Sequence, residues 1–144
     1  LPYRCTQHID VQIKGNIHDV CYVPSQDMVI CTSADPPAVT AVSGKTGGVH
    51  WKFDSLDGAP LFPWGIAVNP SSEAVYIICK SSDCLYEIKA TKSKYDYTKK
   101  IVNSEKCDFG LPRWLRWSNK SNCLVLEAYK HGKHALMWLQ LLSK

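Results

Sequence analysis

A short apolar motif that returns twice constrains this chain more than any other feature. Asp19-Val20-Cys21-Tyr22-Val23-Pro24 aligns with Gly65-Ile66-Ala67-Val68-Asn69-Pro70 and, without the proline, with Trp114-Leu115-Arg116-Trp117-Ser118, at steps of about 46 and then about 48 residues. A period of this size belongs to architectures in which each unit buries its apolar faces only by stacking on its neighbours. A polar turn follows each copy (Ser25-Gln26-Asp27, Ser71-Ser72-Glu73, and residues 119–122), then a second apolar run at 28–31, 74–79 and 123–126. A third run follows at 39–42, 85–88 and 135–139.

In the first unit Ser43-Gly44-Lys45-Thr46-Gly47-Gly48 is a hairpin signal leading into a fourth strand at 49–53, and residues 97–102 take that part in the second unit. No segment carries helical periodicity, and residues 134–142 read as the third strand of the last unit. Four antiparallel strands recurring every 40 to 50 residues are the pattern of propeller blades. The expectation is therefore an all-β chain, a partial β-propeller of about three blades. Residues 17–58 form blade 1, residues 59–110 blade 2, and residues 111–144 blade 3 without its outer strand. Residues 1–16 carry an alternating segment, His8-Ile9-Asp10-Val11-Gln12-Ile13-Lys14-Gly15, which suits the outer strand of a preceding or closing blade. The expected core comprises Val20, Tyr22, Ile30, Ala41, Ile66, Val68, Ile77, Ile88, Leu115, Leu124 and Leu126.

Composition narrows the function classes. No apolar run is long enough to cross a bilayer as a helix, so no membrane association is expected. A net charge of +4 from seventeen basic and thirteen acidic residues is well short of a dedicated nucleic-acid binder. The seven cysteines, Cys5, Cys21, Cys31, Cys79, Cys84, Cys107 and Cys123, are odd in number and mostly embedded in apolar runs, as reduced thiols are in a cytoplasmic protein. One glycosylation sequon, Asn119-Lys120-Ser121, stands against that reading. The chain starts with Leu1, which fits a piece of a longer protein.

The segment Pro63-Trp64-Gly65-Ile66-Ala67-Val68-Asn69-Pro70, with Ala74-Val75-Tyr76-Ile77 and Cys84-Leu85-Tyr86-Glu87-Ile88, resembles an NHL repeat. Ile17 to Pro24 with Ala41 to Gly47 resembles a more diverged copy, and the third unit a weaker one. The resemblance implies a six-bladed propeller of the kind found at the C-terminus of tripartite-motif proteins, a non-catalytic scaffold for protein partners with RNA as an alternative ligand. The missing blades would come from upstream or from a second copy in a homodimer. The family's second-to-third-strand loop carries an Asp, an Asn and an Arg that pin neighbouring blades; Asp35 or Asp83 stands for the Asp, and the Arg is absent.

The alternation Pro112-Arg113-Trp114-Leu115-Arg116-Trp117 sends Trp114 and Arg116 to one side of a strand and Leu115 and Trp117 to the other. Basic and aromatic groups interleaved in this way suit phosphates and bases. Arg113, Trp114 and Arg116, with Lys94, Tyr95 and Lys99, are the candidates for partner or RNA contact. A third reading, a metal-dependent hydrolase of the lactonase kind, would gather Asp19, Asn69 and Ser118 around a channel, with Asp35 and Asp83 in the loops. Neither the Cys79/Cys84 nor the His131/His134 pair has the spacing of a zinc site, so no metal, cofactor or catalytic residue is expected.

Overall fold

A computed structural model describes residues 4–56, 58–80, 84–102 and 109–141, with Lys99 and Val102 described by their backbone alone. The first sheet runs β1 (Asn16–Val23), β2 (Met28–Ala34), β3 (Ala38–Ser43) and β4 (Val49–Phe53), each antiparallel to the last. A two-stranded ribbon, β5 (Ser55–Leu56) and β6 (Ala59–Pro60), bridges to the second sheet. That sheet contains β7 (Pro63–Val68), β8 (Val75–Cys79), β9 (Cys84–Ala90) and β10 (Tyr95–Val102). The third contains β11 (Leu111–Ser118), β12 (Cys123–Lys130) and β13 (Lys133–Leu139). Among the described residues Pro24–Gln26 form a single 3-10 turn, and no helix is long and apolar enough to cross a membrane.

The first strands of the three sheets, β1, β7 and β11, pack in series, so they are the inner strands of radially stacked blades. Their following turns repeat a backbone conformation as well as a sequence. Asp27, Glu73 and Asn122 each sit at positive φ, 44°, 58° and 49°, immediately before or one residue before the second strand. Asp and Asn tolerate this left-handed region better than most residues, which is why polar residues stand here.

Two apolar layers separate the blades. The first joins Val23, Met28, Ile30 and Ala41 of blade 1 to Ile66, Ile77, Tyr86 and Ile88 of blade 2. The second joins Ala67, Tyr76, Ile78 and Leu85 of blade 2 to Leu115, Leu124 and Leu126 of blade 3. Adjacent residues of β7 and β8 thus serve opposite layers, as the strand period of two requires, and every residue of β8 is buried. Gly65 makes the second layer thin: a Cβ there would stand 2.8 Å from the Leu115 amide nitrogen. Only glycine lets β7 and β11 approach so closely.

Val20 and Tyr22, expected in the core, are 52% and 47% exposed. They hold the repeat positions of Ile66 with Val68 and of Leu115 with Trp117, whose side chains are covered by the blade before them. Among the described residues no blade covers that face of β1. Val68 is half-buried at the rim of the first layer, and the other eight core expectations hold. The alternating segment at 8–15 is not a strand, and residues 4–14 join no ladder. Its Ile9 and Asp10 instead lie against Gly47 in the β3–β4 turn. Asp83 and Cys107 lie outside the described residues.

Candidate functional site

Where β1, β7 and β11 begin, which we term the upper end, the last residue before each repeat motif is His18, Trp64 or Arg113. Trp64 is fixed from two sides. Thr32 Oγ1 donates to its carbonyl oxygen at 2.5 Å, and the His18 ring stacks on the indole with centroids 4.0 Å apart and planes 30° from parallel. Lys80, at the end of β8, holds its ammonium 5.1 Å from the Trp64 ring centre, within cation–π range.

A hollow opens on each side of this tryptophan. The larger, about 340 Å³, lies between blades 2 and 3 and is walled by Trp64, Lys80, Pro112, Arg113, Tyr129 and His134. The smaller, about 220 Å³, lies between blades 1 and 2 and is walled by His18, Ala34, Pro37, Phe62, Pro63 and again Trp64. The Trp64 Nε1 and His18 Nε2 atoms are buried and have no hydrogen-bond partner among the described residues. Of the acids close to this set, Glu127 accepts from or bonds His134 Nδ1 at 2.9 Å and does not line either hollow.

Just below, Asp19 ties the three inner strands together. Its Oδ2 accepts the Ile66 amide of β7 at 3.1 Å and Arg116 Nη1 of β11 at 2.8 Å, while Oδ1 accepts the Val20 amide at 3.0 Å. Close by, burial pushes the Cys21 thiol up to about 12 and the Cys31 thiol up to about 11, with the Asp19 carboxylate adding to both. Both are protonated at neutral pH and poor nucleophiles.

The six residues singled out from sequence do not form one patch. Arg113 walls the larger hollow; Trp114 is 42% exposed on the opposite face of β11, with the Arg116 guanidinium 5.9 Å from its ring centre. Leu115 is buried and Trp117 stacks on Tyr76, as the alternation requires. Lys94 and Tyr95 sit at the lower end of the outer strand β10. Tyr95 packs on Trp51 and Phe53 of blade 1, and Lys94 pairs with Asp96 at 3.4 Å. Lys99 belongs to the same outer strand, opposite Glu87. The order β10-β9-β8-β7 keeps that strand at the far edge from β11.

Asp19, Asn69 and Ser118 do not converge either. Asn69 Oδ1 and Ser118 Oγ cap lower-end turns by accepting the Ser71 and Ser121 amides, and Asp19 is engaged between blades. Among the described residues no three His, Cys, Asp or Glu side chains come together. Sequence reading missed His18, Trp64, Lys80 and Tyr129. The signal for the first two was present, because His18 and Trp64 are separated by the same step as the motifs they precede.

No family model matches the chain, and no curated protein matches it. Solved structures do. The chain is similar to hydrazine synthase from Kuenenia stuttgartiensis, with a TM-score of 0.61 at 16% identity over 88% of this chain and 33% of that one. It is similar to the Cps50 (Swd1) β-propeller domain from Myceliophteria thermophila, with a TM-score of 0.55 at 11% identity over 94% of this chain and 42% of that one. A glucose dehydrogenase gives a TM-score of 0.59 at 11% identity over 88% and 41%. At these identities the likeness establishes the fold, a partial β-propeller, and the chain spans 33–42% of the length of these neighbours.

Proposed function

We propose that this chain is part of a non-catalytic, NHL-like β-propeller scaffold that binds a protein partner at its upper end. The observation that carries this reading is Trp64: an indole with His18 stacked on it and Lys80 within cation–π range, set between two hollows. Rigid, half-buried aromatics beside cations are the anchors that dominate protein recognition. Loop ends of blades are free to vary without disturbing strand packing. Buried protonated thiols suit the cytoplasmic setting this reading adopts.

Panning a random twelve-residue peptide phage library on the intact chain tests it. Enriched peptides should lose binding on Arg113→Ser and Tyr129→Ser but keep it on the lower-end variant Lys92→Ser. Enrichment indifferent to the upper-end variants, or no enrichment, overturns the reading.

RNA binding is a second reading, favoured by the exposed Trp114 face with Arg116 over it and Arg113 on the same strand. Single-stranded RNA would then bind with an affinity that falls steeply with salt and with Trp114→Ala.

A further inference from the structure

Resting on the scaffold reading, we infer that the paired upper-end hollows accept an extended acidic peptide segment, with a carboxylate side chain in the larger hollow and an apolar side chain in the smaller. The charge of the larger hollow is one-sided. Lys80 and Arg113 are both exposed at its wall and no acid lines it among the described residues, while the His134 ring there is already bonded to Glu127 behind it. Arg113 offers a carboxylate a planar pair of donors, and Lys80, already drawn over the Trp64 ring, offers a second cation. The smaller hollow differs in kind. Ala34, Pro37, Phe62 and Pro63 give it a mainly apolar lining beside His18, Ser33 and Lys80, and its volume suits an aliphatic side chain.

The two hollows share Trp64 and Lys80 as a common wall. In an extended chain, side chains on one face recur at i and i+2, roughly 6.5 Å apart, so two such side chains can straddle a shared wall. This combination argues for a peptide over RNA: a small apolar hollow next to the cations has no use for a ribose or phosphate, and two cations alone neutralise little of a nucleic-acid backbone.

The test is fluorescence anisotropy with the intact chain and a fluorescein-labelled peptide of sequence Ser-Gly-Glu-Ser-Leu-Gly-Ser. Comparison peptides carry Lys for Glu, or Ser for Leu, and an unlabelled oligouridine serves as competitor. The acidic peptide should bind at least tenfold more tightly than either comparison peptide. Lys80→Ser and Arg113→Ser should each weaken it about tenfold, while Arg113→Lys should recover part of the loss. Lys80 and Arg113 stand on different strands, so a folding defect in one variant leaves the other informative, and thermal melts identify such a defect. Equal affinity for the lysine peptide, affinity unchanged in both variants, or displacement by oligouridine at lower concentration than by peptide overturns the inference. If the peptide panning yields upper-end ligands that are not acidic, the acidic rule fails and the scaffold reading stands. If it yields none, both fail.

Discussion

The carboxylate of Asp19 is 5% exposed and serves two partners from other blades, whereas the side chain of Arg116 that meets it is 61% exposed. The two ends of this bond therefore differ in cost. Asp19→Ala strands the buried Ile66 amide and should destabilise by about 1–3 kcal/mol. Arg116→Ala should cost no more than about 1 kcal/mol, because a guanidinium in water regains its hydration. Urea unfolding of the two variants checks the order, and equal losses would contradict the assignment of Asp19 as the hub. Thiols make a second prediction at this scale. Unfolded cysteines ionise near pH 9, while Cys21 holds its proton to about 12 and Cys31 to about 11 in the fold. Their stabilisation is complete below pH 9 and is lost as pH rises towards those values. The urea midpoint should fall from about pH 9 upwards, and Cys21→Ala should flatten that fall. Individual roles of this kind were the least legible from sequence. Asp19 and Arg116 were both noticed, but nothing in their spacing reveals that they meet across an intervening blade.

Strands were far more legible than sites, since alternation and turn residues are local signals. The β7–β8 and β11–β12 hairpins lie at the apolar runs that define the repeat, and β13 is the strand that the polar and apolar alternation of 134–139 implies. The β5–β6 ribbon was not anticipated, because two-residue strands carry no period. Residues 4–14 show the converse failure: alternation without a partner strand offers no ladder, and a strand pattern alone does not make a strand. At this scale the middle blade is the most demanding. Ile77 is fully buried in a strand with no exposed residue, so Ile77→Ala should cost about 2–5 kcal/mol. The same truncation at Leu136 on β13, 59% exposed, should be nearly silent; chemical denaturation of both variants measures the contrast.

For the whole molecule, the uneven burial of equivalent positions matters most. Ile17, Val20 and Tyr22 on one flank and Trp114, Leu136 and Trp138 on the other are 42–59% exposed, although their counterparts inside the stack are covered. Such faces have the chemistry of an inter-blade layer and seek cover. The isolated chain should therefore self-associate with rising concentration in size-exclusion with light scattering. Trp138→Glu should raise its apparent dissociation constant at least about tenfold. A monomer at every concentration would show that these flanks do not pair with each other.

Asp19 also bears on how such a chain can grow. Repeat arrays lengthen by copying units, and each blade here presents apolar residues to both sides of its sheet. The bridge from Asp19 past the Ile66 amide to Arg116 is sensitive to such copying. It spans one intervening blade, and a copy inserted between β7 and β11 would carry the guanidinium out of reach. A single ion pair thus counts the units between its two ends: a duplication within the trio is expected to lose its contribution of no more than about 1 kcal/mol, and one at the flanks to keep it.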